Sequence, residues 1–416
     1  MLGNSSSSGV FVFDLILFVF VVKNLVLRAF STYRVFRLST NSIFLVLLVY
    51  VFFRTVFALV EDYGYYNNFI LYGFYRWCTF GLFLFIVSYK NWNYIEVINV
   101  LRRFHKILLI YFFFGTLHQL GFWDLSGYEA MGMDELFFEN EEYADFFFRT
   151  YLGNVSASVG FIGSLGVFIS LFLIRIKVDL KYALLGLFLS SFVLIGSWSR
   201  SDLIALMISL LLSVIIGYKK VFGKLVLKTS LTLISIFIVF YSFLSFNDED
   251  HYISENRTFQ RFFKTEYTNQ LRGDSDGTLA FRVLEQNNAL NHIVENIELL
   301  LFGYGPNGYR MFMVNGISKM GFGHNIFLHT IGELGLMGGF LLFVFLALLF
   351  YDIYQKQKLA PNLIRILCFL TFFILCQRFI AGFAVDTLFA VDNILPMTII
   401  FLFVTIIISR IKYGKV

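Results

Sequence analysis

Charge is what this sequence has least of. Only 15% of its residues are Asp, Glu, Lys or Arg, against roughly a quarter in soluble domains. Hydrophobic residues make up 58% and mean hydropathy is +0.73. Too little polar side chain remains to cover a water-facing surface, which excludes an ordinary soluble domain. Period-two alternation in pieces of about ten residues is also absent, which excludes a membrane β-barrel. The three cysteines, Cys78, Cys368 and Cys376, all lie within apolar runs, so no extracytoplasmic disulfide framework is available. No Cys/His cluster has metal-ligand spacing, and no metal is expected. The N-terminal stretch MLGNSSSSGVFVFDLILFVFVV lacks a basic n-region and a small-x-small cleavage site, and reads as a retained span. There is no internal repeat, which argues against transporters built from repeated halves.

What the sequence does have is apolar runs of about 20 residues, the length that crosses a hydrocarbon core. These predict an all-α polytopic membrane protein of about 11 transmembrane helices. The spans fall near 9–27, 42–60, 67–88, 107–123, 152–175, 182–199, 202–218, 226–245, 324–351, 363–385 and 393–409. Lys and Arg collect in alternate connections: Arg28, Arg34 and Arg37; Lys90, Arg102, Arg103 and Lys106; Lys177 and Lys181; Lys219, Lys220 and Lys224; Lys356 and Lys358; and the tail Arg410, Lys412 and Lys415. The positive-inside rule puts that set, with the tail, in the cytoplasm and the N-terminus outside. The net charge of +5 is therefore topogenic, and no nucleic-acid partner is expected. The basic, amphipathic Lys90–Lys106 segment is expected to lie along the inner membrane surface as an anchor.

Three parts follow: 1–245 with about eight spans and an acidic outer loop at 124–151, a large periplasmic loop at 246–323, and 324–416 with about three spans. The acidic loop holds eight carboxylates against Arg149. In the large loop, Leu279, Val283, Leu284, Leu290, Ile293, Val294 and Ile297 recur at helical spacing. GYGPNG then stops that helix and turns the chain, so the loop is expected to be partly helical.

An ionisable group at the centre of a bilayer helix costs at least about 2.5–3.5 kcal/mol, and here such groups favour the outer side: Arg54, Arg76, His118, Arg200, Arg378 and His324. Each has a structural explanation to weigh. Arg54 and Arg76 can pair with Asp14, Glu61 or Asp62. Arg378 can snorkel or pair with Asp386, and His118 can bond a carbonyl. Arg200 stands in the hairpin GSWSRSD among serines, where Asp202 is expected to cap the next helix. A guanidinium beside hydroxyls and a helix N-terminus suits a phosphate; the structural alternative is an ion pair with Asp202. His324 and Asn325 open the ninth span in GHNIFLHTIGELG, where His329 and Glu333 are four apart and share a helix face. Gly332, Gly335, Gly338 and Gly339 are expected to permit close helix packing. An outer cluster of arginines with a histidine points to a lipid-linked phosphate substrate at the outer leaflet.

Three stretches in this order resemble the bacterial O-antigen ligase and O-antigen (Wzy-type) polymerase family: SWSRSDLIALMISLLL, AFRVLEQNNALNHIVENIELLLFGYGPNGY and GHNIFLHTIGELGLMGGFLLF. Together they cover about 196–345. Where the family often has a tryptophan after the loop arginine, this sequence has Leu284, Glu285 and Gln286. The resemblance implies a glycosyltransferase of the inner membrane, with its active site facing the periplasm and an undecaprenyl-diphosphate-linked glycan as donor. It implies no metal, nucleotide or other cofactor. Arg200 and Arg282 match the arginines that hold the diphosphate, and His324 matches the histidine that deprotonates the acceptor hydroxyl or assists the leaving group. Asn325, Glu333, Arg54, Arg76 and Arg378 are supporting candidates. Polymerases of this kind usually work beside a chain-length regulator protein. The motifs are shared by polymerase and ligase. The aromatic bias (55 Phe, 23 Tyr) and the acidic first loop favour a polymerase over a ligase that acts on lipid A core, with protein glycosylation a third reading. A flippase or transporter would put buried charge at mid-depth and on both sides, and a scaffold would not need intramembrane arginines in one leaflet.

Overall fold

The computed structural model describes residues 40–61, 64, 67–89, 92–119, 156–196, 200–215, 278–317, 325–359 and 362–382. Every regular element among them is helical: α1 (Thr40–Val60), α2 (Asn67–Tyr89), α3 (Tyr94–Gln119), α4 (Ser156–Arg175), α5 (Leu180–Gly196), α6 (Arg200–Ile215), α7 (Thr278–Glu295), α8 (Ile297–Phe302), α9 (Met311–Val314), α10 (Ile326–Leu359) and α11 (Asn362–Gly382), with a 3₁₀ turn at Gly308–Arg310. Three helical stretches are long and apolar enough to cross a membrane: Ser42–Val60, Ile326–Lys356 and Ile364–Gly382. Shorter apolar ones run Gly160–Arg175, Leu180–Leu194 and Ser201–Leu210. Eight of the expected spans fall on a described helix. Those near 9–27, 226–245 and 393–409 lie outside the described residues, as does the acidic loop at 124–151.

The helices pack in two groups. In one, α4 and α5 form a hairpin, α3 lies against both, and α11 packs on α6 and α4; in the other, α1 packs on α2 and α10; contact between α10 and α11 joins the groups. Aromatic rings fill both interiors. Phe44 of α1 meets Phe80 of α2 and Phe345 of α10 at 5.2 and 5.0 Å, and Phe168 of α4 stacks on Phe373 of α11. Residues 60, 67, 196, 200, 326 and 382 mark helix ends that share one end of the bundle, called here the loop end.

The basic segment before the fourth span does not form a separate surface helix. It is the first half of α3, which runs unbroken from Tyr94 to Gln119. The protein supplies partners for its polar face, so the membrane surface is not needed. The Arg102 guanidinium donates to both Asp179 oxygens at 2.8 and 2.9 Å, and buried His105 meets the Ser170 hydroxyl at 3.0 Å. Asn93 and Glu96 exchange side-chain and backbone bonds at 2.8 and 3.1 Å, a capping box that starts the helix.

In the large loop the expected helix is present as α7, but it ends at Glu295. The chain bends at Asn296 and resumes as α8, which stops at Gly303. Ala289, Ile293, Leu299, Tyr309 and Phe312 form a small core with Leu328 of α10, so this part of the loop is folded onto that helix. The decisive feature is a break within α10. Gly335 has φ 64 and ψ −176, a conformation essentially confined to glycine. The break leaves three carbonyls without their helical donors, and each is used. The backbone N–H of Tyr304 donates to Gly332 O and that of Gly305 to Glu333 O, both at 2.8 Å. The Tyr50 hydroxyl of α1 donates to Leu334 O at 2.7 Å. Gly335 thus admits the loop backbone into the helix and does not serve ordinary helix packing. A methyl group there would come to 2.2 Å of Leu301 O.

Gly335→Ala is therefore expected to destabilise the protein by at least about 1–3 kcal/mol from backbone strain alone, read as a lower Tm in detergent. Gly339→Ala is the control: the nearest atom to an added methyl is 3.7 Å away, and its Tm is expected to hold or rise slightly, since Ala favours a helix interior by up to about 1 kcal/mol over Gly.

Candidate active site

The residues of interest gather where α6, α10 and α11 meet at the loop end. Asn325 precedes α10, and its side-chain oxygen accepts from the backbone N–H of Phe327 at 2.9 Å and of Leu328 at 3.3 Å. It is the N-cap of that helix, a role worth about 1 kcal/mol, and it fixes the direction in which the chain arrives from position 324. The first helical residue, Ile326, touches the end of α11: a methyl on Gly382 would come within 3.2 Å of its Cγ2. One turn back along α11 stands Arg378, 1% exposed. Its guanidinium lies 4.1 Å from the centroid of the Phe161 ring and 3.7 Å from an oxygen of Asp202. Gln377 donates to that Asp202 oxygen at 2.9 Å and to Ser164 Oγ at 3.4 Å.

Two expectations are corrected here. Arg378 pairs with Asp202, whereas Asp386 lies outside the described residues. Asp202 is not an N-cap: α6 begins at Arg200, which puts Asp202 inside the first turn, fully buried. The reason is electrostatic. A buried guanidinium needs a buried counter-charge, and the first turn of a helix favours the anionic partner. Asp202 thereby locks the start of α6, and with it the Arg200 backbone, against α11. The Arg200 and Arg282 side chains, the His118 side chain and all of His324 lie outside the described residues. Arg200 opens α6, Arg282 lies in the first turns of α7, and α7 packs against α10. Position 200 thus stands on a helix packed against α11, position 282 on a helix that reaches α10 through Ala289 and Ile293, and position 325 at the start of α10 itself.

The other supporting candidates have structural work. Arg54 is not free for a ligand: its Nε donates to Gly303 O at 2.7 Å and its terminal nitrogens reach both Glu61 oxygens at 3.3 and 3.4 Å. The pairing with Glu61 was expected, but the bond to the turn was not. Pro306 presses on Gly73 of α2, and Asn307, in a left-handed conformation, donates to Phe69 O at 3.2 Å. GYGPNG is thus wedged between α1, α2 and α10. Arg76, 2% exposed, lies with its guanidinium 4.8 Å from the Tyr72 ring centroid and donates to the Tyr72 hydroxyl. Glu333 accepts from His329 at 2.9 Å, as the four-residue spacing predicts, and both are buried. The His329 ring stacks on Tyr309 at 5.0 Å and 8°, so the pair joins the loop turn to α10 one turn below Asn325.

Sequence reasoning missed the tyrosines that make these joints. Tyr50 and Tyr309 sit in apolar context with no local signal. His292 meets the Tyr304 hydroxyl at 2.9 Å, which also accepts from Asn315 at 3.0 Å; the only sequence hint was a histidine at the end of an amphipathic helix. Burial holds the His292 imidazole below its ordinary range, opposed in part by Glu295.

Residues 185–343 match the family model described as O-antigen ligase. That stretch is similar to the O-antigen ligase family. The match runs from within α5 through α6, α7, α8 and the GYGPNG turn into α10. It therefore takes in Arg200, Arg282, His324, Asn325 and Glu333, and leaves out Arg54, Arg76 and Arg378. Among curated proteins, none matches the chain.

Asp202→Ala removes the counter-charge of a buried guanidinium and is expected to cost about 3–5 kcal/mol, seen as loss of folded protein by size-exclusion chromatography. Adding Arg378→Met is expected to recover much of that yield, whereas a second loss of yield would contradict the pairing. The sign for His292 follows from its lowered pKa. Above about pH 6.5, the ordinary histidine value, the imidazole is neutral folded or unfolded and loop stability is full. As pH falls below that, the unfolded state binds the proton first and stability is lost. The protection factor for hydrogen exchange across 283–310, taken against the slower intrinsic exchange at low pH, is therefore expected to fall as pH drops from 7.5 to 5.5, and His292→Gln is expected to flatten that fall.

Proposed function

We propose that this protein is a glycosyltransferase of the bacterial inner membrane that polymerises undecaprenyl-diphosphate-linked oligosaccharide repeat units into O-antigen or a related surface polysaccharide at the periplasmic face. The observation that carries the reading is the match of residues 185–343 to the O-antigen ligase family, a stretch that holds all three motif-bearing elements. These are the start of α6 at Arg200, the α7 helix of Arg282 and the capped N-terminus of α10 beside His324. The loop end is taken as periplasmic because Lys and Arg collect at the opposite ends. Residues 1–245, 246–323 and 324–416 are taken as the N-terminal membrane part, the periplasmic loop and the C-terminal membrane part.

In this reading a hydroxyl of the acceptor sugar attacks the anomeric carbon of the donor. A new glycosidic C–O bond forms, the bond from that carbon to the diphosphate breaks, and the lipid diphosphate leaves with the bonding pair. The hydroxyl proton passes to the His324 imidazole. Arg200 and Arg282 hold the phosphate oxygens and offset the charge that grows as the bond breaks; no metal is invoked. Asp202 and Arg378 set the start of α6, and Asn325 sets the approach to position 324. They are positioning residues.

A ligase that transfers the glycan to lipid A core uses the same elements. The polymerase reading rests on the acidic, aromatic first outer loop and on the 55 phenylalanines and 23 tyrosines. A polymerase is expected to work beside a chain-length regulator. With purified protein and lipid-linked repeat units, His324→Ala is expected to lower turnover by about 10²–10⁴-fold at unchanged Tm. Arg200→Lys is expected to keep part of the activity that Arg200→Ala loses. Equal loss of Tm and turnover in His324→Ala would assign that residue a structural role instead.

A further inference from the structure

The loop helix α7 has two apolar faces, and the small core uses one. Ala289 and Ile293 are buried against α10. Beside them Val283, Leu290 and Val294 form a second stripe, at spacings that share one helix face, exposed by 47, 47 and 60%, and Ile297, 70% exposed, follows past the bend at the start of α8. Leu301 and Phe302 of α8 extend it and are also exposed. No charged residue stands on this stripe. Asn288, Asn291 and Glu295, turned from it by roughly 80–140° at 100° per residue, are exposed as well, with Leu284 among them and Asn287 beside the stripe, so the stripe is the more apolar side of the exposed part of the helix.

What faces the stripe follows from where α8 ends. Gly303 lies against Glu333 and Gly335, and Leu301 O against Gly335. Gly335 is nine residues inside α10, about 13 Å from its start at 1.5 Å per residue. The turn also touches Arg54 O and Ala58 of α1 and Gly73 of α2, inside the ends of those helices too. The chain from α8 to the turn therefore descends beside the spans instead of resting above them. Its exposed Leu301 and Phe302 reach the level of Leu336, Met337 and Phe340, the exposed apolar side chains that follow the break in α10. The stripe on α7 is thus continuous with the lipid-facing surface of the bundle.

We propose that α7 and α8 dock on the outer leaflet of the lipid bilayer, with Val283, Leu290, Val294 and Ile297 set into the boundary between headgroups and acyl chains and Asn288, Asn291 and Glu295 turned to water. A helix with one apolar side and a polar opposite side lies in the interface in this way. The proposal rests on the membrane reading of the bundle and not on the reaction. Its consequence for the reaction is that Arg282 stands in a helix held at headgroup depth, where a lipid-linked diphosphate lies.

The test uses the full-length protein in lipid nanodiscs. An encoded environment-sensitive fluorescent residue replaces Val294, Ile297 or Asn291 one at a time, and phosphatidylcholine brominated near the headgroup end of its chains is the quencher. At positions 294 and 297 blue-shifted emission that loses intensity in brominated lipid is expected; at 291 emission characteristic of water and indifferent to bromine is expected. Water-like emission at 294 and 297 would overturn the docking. Blue-shifted emission there without quenching would overturn it too, since protein, from this chain or a second copy, would then cover the stripe. Purified Val294→Glu and Ile297→Glu separate this proposal from the reaction. If the stripe docks on lipid, these variants keep turnover on short-chain, water-soluble donor and lose it on the long-chain lipid-linked donor in bilayers. Equal loss on both donors contradicts docking as the role of the stripe.

Discussion

The arrangement depends on a break in one helix. A transmembrane helix normally consumes its own carbonyls, and in α10 the conformation of Gly335 releases those of Gly332, Glu333 and Leu334. Left unsatisfied away from water, each would cost about 1–3 kcal/mol. The Tyr304 and Gly305 amides and the Tyr50 hydroxyl take them, and in doing so they fasten the large loop to α10 and α1. Arg54 completes the joint by binding Gly303 O while Glu61 offsets its charge. The described part of the loop, 278–317, is therefore packed as part of the bundle.

Electrostatics sets the second constraint. The Arg378–Asp202 pair is buried at 1 and 0% side-chain exposure. It costs desolvation that only mutual pairing, the Gln377 bond and the Phe161 ring offset. Such a pair is weak evidence for stability, but it fixes the geometry between α6 and α11. The result is a helix start at Arg200 whose direction is set by a neighbour, with the capped end of α10 beside it through Ile326 and Gly382.

Much of this was legible in the sequence, and the limits are physical. Span positions followed from apolar length, so α1, α2, α4, α5, α6, α10 and α11 lie close to where hydropathy puts them. The His329–Glu333 pair and the Arg54–Glu61 pair were readable because both are local in sequence. Long-range partners were not. Nothing near Arg378 announces Asp202, which is 176 positions away, and the basic half of α3 looked like a surface anchor because Asp179 and Ser170 come from a distant hairpin. Gly335 was recognised as a small residue, but its positive φ is a tertiary fact, created by the loop backbone that enters there. The motif residues Arg200, Arg282 and His324 were found by pattern, and the Arg200 and Arg282 side chains and all of His324 lie outside the described residues.

The central claim, extension of a lipid-linked glycan at the outer face, is tested most directly by the banding of surface polysaccharide on a gel. The strain lacks this gene and is complemented with the wild-type chain or with His324→Ala at equal protein level. The account predicts a single repeat on an otherwise capped core in the null strain and with His324→Ala, and a full ladder with the wild type. An uncapped core with accumulated long lipid-linked glycan would contradict polymerisation in favour of ligation. An unchanged ladder in the null strain would contradict the enzymatic account for that polymer altogether.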